Sequence, residues 1–102
     1  MAHPDVADLL AFLDASPSPY HAAATSAARL TDAGFVRVAL ADDWRDVAPR
    51  GVVVDGGAVV AWSMPADAAP ATPFRLAGAH TDSPTLRVKP NPDTERVGWH
   101  QL

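Results

Sequence analysis

The 102-residue sequence predicts an α/β chain in which two helices are followed by short strands. Apolar residues recur at helical spacing in the first third of the chain, and after Gly34 they alternate or run together in β-branched stretches. Two valine-rich runs are joined by Asp55-Gly56-Gly57, which predicts a β-hairpin because glycine readily adopts positive φ. The length suits one domain and is too short for two.

The first predicted helix covers residues 5–15 and carries an apolar stripe. The residues of this stripe are Val6, Leu9, Leu10 and Leu13. The prolines that follow end the helix, because the residue before a proline is disfavoured in the α region. Ser18 is predicted to be the N-cap and Pro19 the first residue of a second helix, which runs to Ala33. Gly34 is the predicted residue that stops it.

All predicted elements after Gly34 are strands and connections. They comprise a strand over 35–40, a polar connection anchored by Trp44, a hairpin over 51–62, a surface loop over 64–73, and short strands over 74–79, 85–90 and 96–102. The strand over 74–79 is expected to be buried. The last strand is still running where the sequence stops, so we expect this chain to be the front part of something longer.

Composition narrows the possible partners and cofactors. The 8 basic and 12 acidic residues give a net charge of −4, which argues against nucleic acid or an anionic membrane as the main partner. Without cysteine, a metal would be held by His, Asp and Glu, which favours zinc, manganese or cobalt. Because the sequence lacks a signal-peptide pattern and a membrane-length apolar run, a cytoplasmic location is expected. Alanine and valine supply much of the apolar content, so the core should be thin.

The polar triplet His80-Thr81-Asp82 follows directly on the predicted strand over 74–79. In α/β folds the carboxyl ends of strands gather ligands, so His80 could bind a metal there. Asp82 could then orient the imidazole by accepting its free ring N–H. The composition of the same stretch is also typical of a turn, since Asp82 can form an Asx turn and Ser83 precedes a proline. Spacing alone does not decide between a metal site and a plain turn.

Other candidate groups are weaker. Ser83, His80 and Asp82 include the residue types of a catalytic triad, but a triad is assembled from separated positions and no Gly-x-Ser-x-Gly elbow is present. The remaining histidines are expected to be structural or exposed. They are His3, His21 and His100.

Two long motifs carry a resemblance to a known family. "DLLAFLDASPSPYHAAATSAARLTDAGF" and "LAGAHTDSPTLRVKPNPD" resemble segments of the aspartyl aminopeptidase family of dinuclear zinc metalloaminopeptidases, in order and at natural spacing. The resemblance implies that residues 1–102 are the N-terminal part of an α/β catalytic domain. It also implies removal of N-terminal Asp or Glu from peptide substrates, two metal ions that are usually zinc, and assembly into homo-dodecamers.

The resemblance assigns roles to two residues. It implies that His80 is the first metal ligand and that Asp82 is the carboxylate that steadies it. The other ligands, the bridging carboxylate and the glutamate base lie further along in the family. Glu95, the only glutamate, is placed in a predicted turn and is not expected to be the base. Since a catalytic zinc needs three protein ligands, the isolated chain should be inactive. A truncated, non-catalytic module acting only in structure or subunit assembly is the alternative.

Two further pairs of residues lie within these motifs. An acidic preference would require a cationic pocket, and Arg87 and Lys89 follow the triplet. Alternation places both on one face of the predicted strand, and we favour simple solvent exposure for them. Tyr20 and His21, at the start of the second helix, are expected to serve structure or assembly rather than catalysis.

Overall fold

The computed structural model describes residues 3–86, 88 and 90–101. The elements, in chain order, are α1 (Pro4–Asp14), α2 (Pro19–Asp32), β1 (Val36–Arg37), β2 (Arg50–Asp55), β3 (Ala58–Ser63), β4 (Thr94–Arg96) and β5 (Trp99–Gln101). β1 is parallel to β2, and β2 is antiparallel to β3, which gives a mixed three-stranded sheet. β4 and β5 form a separate antiparallel pair. The predicted α/β class with two leading helices is therefore confirmed.

Both ends of α2 are formed by the predicted residues. Ser18 has extended backbone angles, and its hydroxyl accepts a hydrogen bond from the His21 backbone N–H at 3.4 Å. This contact satisfies one of the free N–H groups at the helix start. Gly34 follows the C-cap with φ +88°, a conformation that only glycine adopts at little cost. α1 begins at Pro4, one residue earlier than predicted, with His3 as its N-cap.

The Ser18 cap leads to a stability prediction. Replacing Ser18 by Ala should lower the free energy of unfolding by about 1 kcal/mol, because the N–H group then loses its side-chain acceptor. Urea unfolding followed by far-UV circular dichroism measures the change. Ser18→Asp is the matched control and should unfold near the wild-type midpoint, since aspartate also caps helices well. An unchanged unfolding midpoint in Ser18→Ala would show that the hydroxyl cap contributes nothing.

The core between α2 and the sheet is thin, as predicted. Its buried apolar residues are Ala22, Ala23, Ala27, Val38, Val52 and Val53. Of these only Val52 is both larger than alanine and fully buried. The apolar stripe of α1 stays about half exposed, with Leu9 and Leu13 each 55% accessible. Among the described residues, no helix is long and apolar enough to cross a bilayer.

The connection between β1 and β2 is anchored by Trp44, as predicted. Its ring centroid lies 5.4 Å from that of Trp62 on β3, with the two planes tilted by 38°. Trp62 also donates its indole N–H to the Ala48 carbonyl at 2.9 Å. This aromatic pair fixes the connection over the sheet. The Pro/Ala loop over 64–73 is exposed throughout, which confirms its predicted surface position.

The prediction of a buried strand over 74–79 is wrong. This segment has no strand conformation, and Phe74 and Leu76 are 90% and 92% exposed. A strand needs a neighbour for its backbone N–H and C=O groups, and no strand in the described part of the chain pairs with this segment. In the predicted strand over 85–90, the described residues 85, 86, 88 and 90 also have no strand conformation, and Leu86 is fully exposed. Arg87 and Lys89 lie outside the described residues.

The prediction of one continuous strand over 96–102 is also wrong. The chain reverses at Val97 and Gly98, whose φ values are +55° and +78°. Two successive positive φ values are typical of the tight turn that joins antiparallel strands. Valine rarely adopts this conformation, so residue preference does not predict a turn at Val97. Glu95 consequently lies in β4 opposite His100, and not in the predicted turn.

Candidate metal-binding loop

His80 and Asp82 lie together in a long irregular loop. His80 Nδ1 is 2.7 Å from the Asp82 backbone carbonyl oxygen and 3.1 Å from the Asp82 carboxylate Oδ1. A carbonyl oxygen only accepts hydrogen bonds, so Nδ1 must be the donor in this contact. In the neutral imidazole the lone pair then resides on Nε2. The loop therefore presents an imidazole nitrogen suited to binding a cation.

Both side chains are open to solvent. The His80 side chain is 74% exposed and the Asp82 side chain is 61% exposed. Exposed pairs of this kind add little to folding stability. The contact is thus better explained by the orientation it imposes on the imidazole ring than by a contribution to the fold.

Thr81, between them, anchors the loop to the sheet. Its hydroxyl donates a hydrogen bond to the Gly57 carbonyl oxygen at 2.7 Å, and its side chain is half-buried. Gly57 belongs to the turn that joins β2 and β3. This tertiary contact, rather than the predicted strand over 74–79, positions His80. The sequence did not predict this role of Thr81. The only related signal was Gly57, the second glycine of the predicted hairpin turn.

A cleft of about 480 Å³ adjoins the loop. Phe12 and Leu13 from α1 line one side, and His80 and Thr81 line the other. Ser16 also lines the cleft, and its hydroxyl oxygen is buried with no hydrogen-bond partner in the described part of the chain. The cleft therefore combines an apolar wall from α1 with the polar groups of the loop.

The donor set of the loop fits zinc but does not complete a site. An imidazole nitrogen and a carboxylate are ordinary zinc ligands or ligand partners. Within residues 3–86, 88 and 90–101, no three His, Asp or Glu side chains come together to hold a metal. A catalytic zinc needs three protein ligands, so the described residues do not by themselves form such a site.

The other candidate residues make contacts that do not involve the His80–Asp82 pair. His3 caps α1, and His21 Nδ1 is 2.7 Å from the Ser18 hydroxyl oxygen. Ser83 makes no hydrogen bond to His80 among the described contacts. In the exposed connection before β2, hydrogen bonding from Arg45 lowers the pKa of Asp43. That pair is local to the connection.

The sequence is similar to those of known proteins. A sequence model described as aminopeptidase I zinc metalloprotease (M18) matches residues 12–102. A probable M18 family aminopeptidase 2 of Streptomyces coelicolor is 58% identical over 95 residues, which are 93% of this chain and 22% of that protein. Its Mycobacterium leprae counterpart is 48% identical over 93 residues, or 91% and 22% of the two chains.

A solved structure supports the same assignment. The chain superimposes on one described as a cryo-EM structure of the Ape4 and Nbr1 complex, with a TM-score of 0.75 and 33% identity. The superposition covers 94% of this chain and 19% of that one. These similarities place the chain among zinc metallopeptidases. It belongs to the M18 family of aminopeptidases, and it spans about a fifth of the length of the relatives it matches.

Proposed function

We propose that the protein carrying this chain is a zinc-dependent aminopeptidase that releases N-terminal residues, preferentially Asp or Glu, from peptides. The observation that carries the proposal is the His80 ring, whose Nδ1 donates to Asp82 and whose Nε2 is left to bind a cation. Membership of the M18 family makes zinc the natural cation. The preference for acidic residues rests on the resemblance to aspartyl aminopeptidases.

The two loop residues have distinct roles in this proposal. His80 would bind one of two metal ions through Nε2. Asp82 would hold the proton on Nδ1, which fixes the ring orientation and makes Nε2 a better ligand. The bound zinc, for which manganese or cobalt could substitute, would polarise the scissile carbonyl and lower the pKa of a bound water. The remaining ligands and the general base would come from residues outside 1–102.

A substrate panel with metal removal tests this function. The complete gene product should release the chromogenic group from aspartyl and glutamyl anilides faster than from leucyl anilide. Dialysis against a chelator should lower kcat/KM by about a thousandfold or more, because metal catalysis supplies several kcal/mol of transition-state stabilisation. Added zinc, manganese or cobalt should restore activity. Full activity after verified metal removal would contradict the proposal.

The isolated 102-residue chain provides the matched control. It lacks a complete ligand set among its described residues, so it should release no residue from the same substrates with added zinc. The incomplete ligand set also favours the second candidate, a non-catalytic module that acts in structure or subunit assembly. An inactive complete gene product that binds no zinc would support this second candidate.

Assembly and location are part of the proposal. By resemblance to the aspartyl aminopeptidases, the complete protein should form a homo-oligomer, a dodecamer. The proposed location is the cytoplasm. The structural neighbour was solved as a complex of Ape4 with Nbr1, which shows only that this particular relative takes part in a larger assembly.

A further inference from the structure

We infer that Thr81 is a positioning residue, which holds the loop so that His80 keeps its proton on Nδ1 and presents Nε2. The Thr81 hydroxyl, the Gly57 carbonyl and Pro19 form what we call the Thr81 clasp. The importance of Nε2 for metal binding rests on the proposed function. The clasp itself is a property of the chain's own residues.

The side chains around Thr81 divide between two sides of the loop. His80 and Asp82 are 74% and 61% exposed, whereas Thr81 is half-buried and bonded to Gly57 at 2.7 Å. The bond to Gly57 holds Thr81 against the hairpin turn, so the side chains of His80 and Asp82 lie together on the solvent side of the loop. A simple Asx turn would be held by contacts within a few residues, but this bond joins positions 24 residues apart.

The hairpin turn that receives the bond is supported from its other side. A Cβ atom placed on Gly57 would lie 2.9 Å from Pro19 Cβ, so the turn packs directly on the first residue of α2. Pro19 is itself held by the Ser18 cap and by its fixed φ. The turn therefore cannot move toward α2. The Gly57 carbonyl oxygen is held in position to accept the hydrogen bond from Thr81.

The tautomer of His80 reports on the clasp directly. Without the Thr81 bond, the loop should sample conformations in which Nδ1 no longer meets the Asp82 oxygens. The ratio of the Nδ1–H form to the Nε2–H form should then fall by about fivefold, the factor that corresponds to one hydrogen bond. Imidazole ¹⁵N chemical shifts of the metal-free 102-residue chain, recorded at pH 8, measure this ratio.

Thr81→Val and Thr81→Ser are the first pair of variants. Val keeps the branched shape and removes the donor, so the His80 ratio should fall, whereas Ser keeps the donor and should hold the wild-type ratio. His21 is the internal control, because its Nδ1 contacts Ser18 instead, and its ratio should not change. An unchanged His80 ratio in the Val variant would overturn the inference, and so would an equal fall with Ser.

Thr81→Ala provides a second comparison if valine prevents folding. Ala and Ser differ only by the hydroxyl, so a lower ratio in Ala alone supports the clasp and equal ratios refute it. The measurement uses neither metal nor substrate. An inactive gene product would therefore refute the proposed function and leave the clasp intact, while an unchanged tautomer would refute the clasp whatever the activity.

Discussion

Replacing His80 by Ala in the complete gene product should remove one bound metal ion and lower kcat/KM by about a thousandfold or more. The reason is that His80 Nε2, left without a proton by the Nδ1 contact with Asp82, is the atom that we propose as a metal ligand. Elemental analysis of the purified variant measures the metal content. Initial rates with an aspartyl anilide measure the activity.

Two further variants make this test quantitative. His100→Ala is the matched control: His100 is exposed on β5, and its loss should leave metal content and rates unchanged. Asp82→Ala should weaken metal affinity by about 10- to 100-fold, because it removes the carboxylate contact but leaves the ligand itself. If His80→Ala kept its full zinc content and turnover, His80 would not be a ligand and the proposed site would be wrong.

Replacing Gly51 by Ala should destabilise the fold by about 3–5 kcal/mol. A Cβ atom at Gly51 would lie 2.1 Å from Trp62 Cζ2, because the indole ring lies against the glycine directly opposite it in the β2–β3 ladder. Moving the Trp62 ring away from Gly51 would break contacts that stabilise the fold. The ring donates to the Ala48 carbonyl at 2.9 Å and packs against Trp44. Urea unfolding followed by far-UV circular dichroism measures the loss.

Gly78→Ala is the matched control for the same chemical change. A Cβ atom there meets nothing within 4 Å, so its effect should stay within about 0.5 kcal/mol. A double-mutant cycle identifies the cause: in a Trp62→Ala background, Gly51→Ala should cost less than about 1 kcal/mol. An undiminished cost in that background would show that the indole contact is not the reason for the glycine.

Local signals predicted the elements whose stability is local. Ser18 lies at the start of α2 and Gly34 follows its end, as predicted. Each position depends on one residue type, a hydroxyl side chain for the N-cap and glycine for the positive φ. The Asp55-Gly56-Gly57 turn likewise joins β2 and β3 as predicted. Residue type and position made His80 and Asp82 candidates, and motif resemblance assigned them the roles of metal ligand and orienting carboxylate. The structure shows the contact between them and leaves their metal-binding role as a proposal.

Predictions failed where a segment depends on distant partners. Residues 74–79 have the composition of a buried strand, yet the described part of the chain offers them no neighbouring strand. Val97 turns the chain in a conformation that its own side chain disfavours. Neither outcome can be obtained from intrinsic propensity, because strand formation depends on which other backbone groups lie alongside.

By itself, the sequence determined the two helices, the β2–β3 hairpin, the thin core and the family to which this chain belongs. These depend on residue periodicity, single-residue backbone preferences and long motifs. Only the tertiary structure showed that Thr81 bonds to Gly57 and that Trp62 lies on Gly51. Both contacts join residues far apart or on facing strands, so they exist only once the hairpin, α2 and the loop have packed together.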